Sequence, residues 1–114
     1  MGKTKYRSGD NAPKITTQPS DASVFAGDLA EFGINVEAMA GSKKEVRYQW
    51  QYLDDDQDMW SDVELDSAAT DTLAVPTVTD DMNGRQYRCV VSQESQGITR
   101  AIISDTAKLI ILDK

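Results

Sequence analysis

The 114-residue chain contains no histidine and only one cysteine. Without histidine, neither a Ser-His or Cys-His catalytic pair nor a His-ligated metal site can form. A single cysteine cannot close a disulfide within the chain. Apolar runs are also short, since none approaches the ~20 residues of a membrane-spanning helix. The glycines stand singly rather than in a phosphate-binding loop, which argues against nucleotide binding.

Positive charge is in short supply, because 12 Lys and Arg face 19 Asp and Glu and the net charge is −7. Nucleic-acid binding depends on basic residues that displace phosphate counterions, so we expect no nucleic-acid partner. With so many carboxylates, a pair at glycosidase spacing arises by chance and carries no weight. The sequence predicts a protein that is not an enzyme.

The amino terminus, "MGKTKYRSGDN", has basic residues but no apolar stretch after them. It therefore lacks the pattern of a secretory signal, and a signal for an exported protein would have to lie upstream of this sequence. We expect residues 1–12 to form a tail or linker and residues 13–113 to form one domain, a common domain size.

From Pro13 onward, short alternating runs are separated by turn residues, the pattern of an all-β sandwich or barrel. In "LAEFGINVEA" every second residue from Ala30 to Ala38 is apolar, and in "EVRYQWQYL" the same holds from Val46 to Tyr52. Further strands are predicted in "KITTQP" with "ASVFA", "MWSDVEL", "TDTLAV", "RQYRCVVSQ" and "ITRAIISDTAKLIIL". The total is seven or eight strands.

Three residues give this pattern a family resemblance: Trp50 in the third strand, Tyr87 after the "DDMNG" turn, and Cys89 two residues later. They resemble the immunoglobulin fold, where a buried Trp packs on an inter-sheet disulfide beside a tyrosine corner. Residues 13 to 112 look like the bacterial immunoglobulin-like modules of surface and phage structural proteins. The resemblance implies an immunoglobulin-like β-sandwich of antiparallel strands in two sheets.

The partner cysteine of that family would fall at Ile34, so the inter-sheet disulfide is absent. We expect Ile34 and the Cys89 thiol to pack beneath Trp50, because a buried free cysteine behaves as a small hydrophobe. A reactive thiol is the alternative, and it would need exposure and a basic neighbourhood. The predicted core comprises Phe32, Ile34, Tyr48, Trp50, Leu73, Val75, Tyr87, Cys89, Val91, Leu109 and Ile111.

The acidic run "DDDQD" suggests a possible Ca²⁺ site, although it does not fit an EF-hand loop. In the implied topology this turn shares one end of the sandwich with two other turns, which collects further carboxylates. The candidate calcium ligands are Asp54, Asp56, Asp58, Asp80 and Asp81. The alternative is a hydrated acidic hairpin that serves solubility.

The opposite end of the sandwich carries "AMAGSKKEV" and "SQESQGI", the loops that correspond to antigen-binding loops. The candidate binding residues are Lys43, Lys44, Gln93, Glu94, Ser95 and Gln96. This set is polar and lacks an aromatic platform for sugar stacking. Trp60 could be such a platform, but its place in the family pattern favours a structural tryptophan that covers the sheet.

The resemblance implies a non-catalytic structural or adhesive module of a larger bacterial surface protein, acting as a spacer or weak binder. Two alternatives stay open: a phage tail or capsid module that binds host-surface glycans, and an accessory domain of a carbohydrate-active enzyme. The expected partners are neighbouring domains, and possible ligands are glycans or a host protein. The expected location is the cell or virion surface, with no membrane insertion and no cofactor other than Ca²⁺.

Overall fold

A computed structural model describes residues 12–113, so the predicted tail lies outside the described residues except for Ala12. The described chain is built from ten short strands and two 3-10 turns. No helix in this range is long and apolar enough to cross a membrane. The strands are β1 (Lys14–Thr17), β2 (Ala22–Phe25), β3 (Ala30–Gly33), β4 (Asn35–Glu37), β5 (Arg47–Leu53), β6 (Ser61–Asp62), β7 (Thr72–Val75), β8 (Gln86–Ser95), β9 (Ile98–Ile103) and β10 (Ala107–Leu112).

The strands form two layers. In the smaller layer β1 pairs with β4 and β3 pairs with β7, and β3 and β4 are halves of one strand interrupted at Ile34. In the larger layer the order is β2-β10-β8-β5-β6, and β9 pairs with β8 beside β10. The pairing of β2 with β10 is parallel, whereas an all-antiparallel arrangement was predicted. The other pairings are antiparallel, and the predicted two-sheet sandwich is confirmed.

The core lies between the two layers, and its largest fully buried side chains are Trp50, Tyr87, Phe32, Leu73 and Leu109. Period-two alternation explains this, since every second residue of β3, β7 and the first part of β8 faces inward. The rings of Phe32 and Tyr87 pack with centroids 4.7 Å apart. Of the predicted core, only Tyr48 and Ile111 are half-buried rather than buried.

The alternation predicted from Ala30 to Ala38 breaks at its end. Ala38 is exposed, and Met39 is buried in its place. The strand ends at Glu37, after which the backbone turns, so the side-chain period of two no longer holds.

The predicted last strand, residues 98–112, is broken into β9 and β10 by a buried serine. Ser104 donates its N–H to the Cys89 carbonyl at 2.9 Å, and its hydroxyl oxygen accepts the Cys89 N–H at 2.8 Å. The side chain thus replaces a backbone group in the ladder, and the chain changes course after it.

The predicted strand "MWSDVEL" contributes only the two residues of β6, and a 3-10 turn at Asp66–Ala69 follows. Ser67 in this turn accepts the Ala74 N–H at 2.9 Å and lies 3.1 Å from the Ala74 carbonyl, to which it donates. Thr70 accepts the Thr72 N–H at 3.2 Å. These hydroxyls occupy the outer edge of β7, where a neighbouring strand would otherwise pair.

Candidate functional site

One end of the sandwich, called here the loop pole, is formed by the β4–β5 loop (residues 38–46) and the β8–β9 hairpin. The hairpin turns through Gln96 and Gly97, which both have positive φ, 54° and 79°. Two successive positive φ values define the tight turn that favours a right-twisted hairpin. Because the turn is so short, Glu94 and Ser95 lie in β8 rather than in a loop as predicted.

Gln93 was predicted as an exposed loop residue that binds a ligand, but the structure places it in the interior. It is 2 % exposed, and both ends of its amide are hydrogen-bonded. Its Oε1 accepts the Met39 N–H at 2.8 Å and its Nε2 donates to the Lys44 carbonyl at 2.9 Å. Gln93 therefore holds the β4–β5 loop on β8 and is not available to a ligand.

The two predicted lysines border an open depression at the loop pole, about 580 Å³ in volume. Its lining is Lys43, Lys44, Glu45, Val46, Arg47, Tyr48, Ala69 and Glu94. A hydrogen bond of 2.7 Å from the Ser42 hydroxyl to the Glu94 carbonyl fixes the loop beside it. Burial, with a smaller effect from Asp71, raises the pKa of Tyr48, so the phenol stays neutral near pH 7.

The depression brings together Lys43, Lys44 and Glu94 of the predicted binding set, and it adds Arg47 and Tyr48. Gln96 is exposed at the hairpin tip and does not line it. Three basic side chains, from Lys43, Lys44 and Arg47, and two acidic ones, from Glu45 and Glu94, line this concavity. It therefore carries a slight positive excess in a chain of net charge −7. Sequence reasoning missed Arg47 and Tyr48 because it placed them only in a strand.

At the opposite end, called here the acidic pole, the predicted turns do meet. Gly27 donates its N–H to the Val78 carbonyl at 2.8 Å, which joins the β2–β3 turn to the segment before β8. Asp54 in the β5–β6 turn accepts from Arg85 Nε at 2.6 Å and from Arg85 Nη2 at 3.3 Å. Arg85 also lies over the Tyr52 ring, with 4.8 Å from Cζ to the centroid.

The candidate calcium ligands do not converge at this end. Among residues 12–113, no group of three or more acidic or sulfur side chains is placed to hold a metal ion. The Asp54 carboxylate is engaged by Arg85, and the Asp81 carboxylate accepts from the Thr79 hydroxyl, which lowers its pKa. Asp56, Asp58 and Asp80 are exposed. Calcium binding stays an untested prediction.

The single cysteine lies at the centre of the core. Cys89 is fully buried and is opposite Trp50 in the β5–β8 ladder, and Ile34 belongs to the same cluster. Burial raises the pKa of the Cys89 thiol to about 12. A thiol that stays protonated and buried is a poor nucleophile, so the geometry favours the packing interpretation over the reactive one.

Both tryptophans have polar contacts that explain their positions. Trp50 donates its indole N–H to the Thr70 carbonyl at 2.8 Å, which satisfies the polar atom of a buried ring. Trp60 is half-buried on the outer face of the larger layer, and Arg88 covers its ring with Cζ 4.2 Å from the centroid. With Arg88 over it, that ring face offers no stacking platform for a sugar.

A second pocket, of about 320 Å³, was not anticipated from the sequence. It lies at the side of the sandwich where β6 is short, and its lining is Tyr52, Val63, Glu64, Leu65, Val75, Pro76, Thr77, Met82, Arg85 and Tyr87. Its walls come from segments far apart in the chain. No local pattern could have indicated it, since residues 52, 63–65, 75–77, 82, 85 and 87 together supply its lining.

No family model and no curated protein matches the sequence. Solved structures do match. A chain of the titin and obscurin-like 1 immunoglobulin complex has a TM-score of 0.58 at 15% identity, and the match covers 89% of this chain and 94% of that one. Immunoglobulin domains 1–5 of Sidekick-1 give 0.57 at 16%, covering 90% and 20%. The Ig1-2 module of the Drosophila receptor tyrosine phosphatase DLAR gives 0.52 at 19%, covering 88% and 48%.

These neighbours are eukaryotic proteins, so they lend no support to the bacterial or phage setting of the sequence resemblance. At identities this low, the likeness concerns the fold alone. It agrees with the strand order and the buried Trp50, Tyr87 and Cys89 described above. The chain therefore folds as an immunoglobulin-like β-sandwich.

Proposed function

We propose that this domain is a non-catalytic module of a larger surface protein and that it binds anionic glycans weakly at the loop pole. The observation that carries the proposal is the depression at the loop pole, where three basic residues outnumber two carboxylates. The basic residues are Lys43, Lys44 and Arg47, and the carboxylates are Glu45 and Glu94. Basic side chains attract carboxylate or sulfate groups, and a concavity of several hundred Å³ suits a small part of a polymer. The bacterial or phage setting rests on the sequence resemblance.

A larger parent protein fits the structural neighbours, because this chain covers 20% of the Sidekick-1 chain and 48% of the DLAR module. Immunoglobulin-like sandwiches often occur in series, which would make this domain a spacer as well as a binder. Few aromatic side chains border the depression, so the affinity would come from charge and would fall with salt.

The test is binding to a panel of anionic and neutral polysaccharides, measured at low and physiological salt, with and without millimolar Ca²⁺. The double variant Lys43→Ala with Lys44→Ala should lose binding to the anionic members. The matched control is Lys14→Ala with Lys108→Ala, which removes the same charge from exposed positions on β1 and β10. Equal losses in both variants, or no binding to any anionic member, would overturn the proposed ligand.

A dependence on Ca²⁺ would move the site to the acidic pole. In that case Asp56→Asn and Asp58→Asn should abolish binding, while the lysine variants leave it unchanged. A clean negative under all conditions would leave a spacer as the function of the domain.

A further inference from the structure

The outer edge of β9 is open. Among residues 12–113, β9 pairs only with β8, and its six residues make it the longest strand at the rim of the sandwich. The edge strands β1, β2 and β7 have four residues each and β6 has two. An exposed strand edge presents unpaired N–H and C=O groups and is a template for a further strand.

The β8–β9 ladder determines which residues point outward. Ser95 pairs with Ile98 across the two-residue turn, and Ser104 donates to Cys89 at the other end of the same register. Hydrogen-bonded and non-hydrogen-bonded pairs alternate along an antiparallel ladder. Ile98, Arg100 and Ile102 therefore bond to β8, and the backbone groups of Thr99, Ala101 and Ile103 point away from the sandwich.

At two other places on the rim, side chains occupy such groups. Ser67 and Thr70 cap the edge of β7, as described above. Just beyond β9, Gln18 accepts the Asp105 N–H and Asp21 accepts the Lys108 N–H, both at 2.8 Å. Both of these caps lie after the end of β9, and among residues 12–113 no side chain caps β9 in this way.

We propose that β9 pairs with β9 of a second copy of this chain, antiparallel, about a two-fold axis at Ala101. In this register Ala101 faces its own counterpart and Thr99 faces the second copy's Ile103. All three outward residues then form hydrogen-bonded pairs, which gives about six interchain hydrogen bonds. The larger layers of the two molecules become one continuous sheet.

The side chains suit a second copy. A small residue lies on the axis, where a two-fold interface brings like residues together. β9 has no acidic residue and a single basic one, Arg100, although the whole chain carries −7. Thr99 and Ile103 are exposed β-branched residues, with Ile103 at 53%, and such pairs are favourable across strands. The β9 edge thus carries none of the negative charge that makes two copies of this chain repel each other.

The interface is small compared with a stable dimer interface, so we expect weak self-association that becomes visible toward millimolar concentration. Sedimentation velocity of the full chain from micromolar to millimolar concentration measures it. The sedimentation coefficient should rise from that of a monomer toward that of a dimer. A constant monomeric value across the range would overturn the proposal.

Substitutions at the axis test the register. Ala101→Pro removes an outward N–H without removing a bond to β8, since proline is tolerated at edge positions that face solvent. Ala101→Lys and Ala101→Glu each place like charges directly opposite one another. The proline should weaken association about tenfold, because it removes two of the interchain hydrogen bonds, and each charge variant should weaken it about two- to fivefold. If Ala101→Pro proves unfolded by circular dichroism, the two charge variants carry the test.

An equimolar mixture of the Ala101→Lys and Ala101→Glu proteins should associate again, because opposite charges then face each other across the axis. Failure of the mixture to associate, or association that none of the substitutions weakens, would show that β9 does not pair in this register and would overturn the proposal. The lysines at the loop pole are not involved, so the glycan test and this one fail independently.

Discussion

Strands β7 and β9 both lie at the rim of the sandwich, but their outward backbone groups have different partners. In β7, the N–H groups of Ala74 and Thr72 donate hydrogen bonds to the hydroxyls of Ser67 and Thr70, which belong to a 3-10 turn and its end. Among residues 12–113, no further strand pairs with the outward groups of β9. A strand edge can therefore be closed without another strand, by two hydroxyls that approach from a neighbouring turn.

The two edge strands also differ in how far they are covered by the rest of the domain. The edge of β7 faces a segment that packs on the core, since Ala68 of the turn is buried. β9 is exposed along most of its length, although its partner β8 is the most buried long strand of the fold. An exposed strand on a rigid partner keeps its shape while presenting its backbone.

The largest effect on stability is expected at Gln93, which holds the β4–β5 loop of the loop pole in place. Gln93→Leu should lower the free energy of unfolding by about 2–3 kcal/mol, because the buried Met39 N–H and the Lys44 carbonyl lose their partner. Chemical denaturation measures the change. The matched control is Gln57→Leu at an exposed turn, with an expected change within about 0.5 kcal/mol. Equal effects at both positions would contradict the role of Gln93.

A second effect concerns pH and arises from the thiol of Cys89 in β8, the residue that is hydrogen-bonded to Ser104 just after the end of β9. The folded thiol has a pKa of about 12 and an ordinary thiol 9.0, so below pH 9 both states keep the proton. Above pH 9 the unfolded chain ionises first, and the free energy of unfolding falls by up to ~1.4 kcal/mol per pH unit. The tyrosines with raised pKa values add to this fall above pH 10.

Cys89→Val isolates the thiol. At pH 7 the variant should stay folded and differ by less than about 1.5 kcal/mol, since the residue is replaced by a hydrophobe of similar size. Between pH 9 and 10 its stability should fall less steeply than that of the unsubstituted protein. Parallel curves, or loss of cooperative unfolding at pH 7, would refute the description of Cys89.

Removing a hydroxyl that caps the edge of β7 should have a moderate effect on stability. Ser67→Ala should lower the free energy of unfolding by about 1 kcal/mol and speed hydrogen exchange at the Ala74 amide. Ser23→Ala, on the exposed face of β2, is the control. If the Ala74 amide exchanges at the same rate in both variants, the hydroxyl does not close this edge.

The smallest effect is expected at the turn before β9. Gln96 has a left-handed φ of 54°, which asparagine adopts more readily, and Asn-Gly is the favoured pair in this turn. Gln96→Asn should raise the melting temperature slightly, by the equivalent of about 0.5 kcal/mol. Gln96→Val should lower it, and the same sign for both substitutions would contradict the turn assignment.

The sequence predicts the sandwich well because its signals are local. Alternating apolar residues and the Trp50, Tyr87 and Cys89 pattern suffice for the strands and the buried centre. The remaining features depend on contacts between distant segments. The sequence alone indicates a polar loop residue at Gln93, because its contacts with Met39 and Lys44 depend on the folded chain. In the same way it indicates a strand residue at Ser104, because the hydrogen bond between its hydroxyl and Cys89 forms only in the fold.

The candidate site is predicted only in part for the same reason. Lys43 and Lys44 follow from the loop positions implied by the resemblance, whereas Arg47 and Tyr48 enter the depression through the way the loop folds over β8. At the acidic pole, the sequence predicts where the turns lie but not which side chains pair there. The turns come together as expected, but the approach of Arg85 to Asp54 gives one carboxylate a partner that spacing could not reveal.

Amide hydrogen exchange by NMR at micromolar concentration tests the difference between the two edges most directly. The account predicts slow exchange at Thr72 and Ala74 of β7 and fast exchange at Thr99, Ala101 and Ile103 of β9, with Arg100 and Ile102 protected between them. Uniform protection along β9 in the monomer, or exchange at Ala74 as fast as at Ala101, would contradict it.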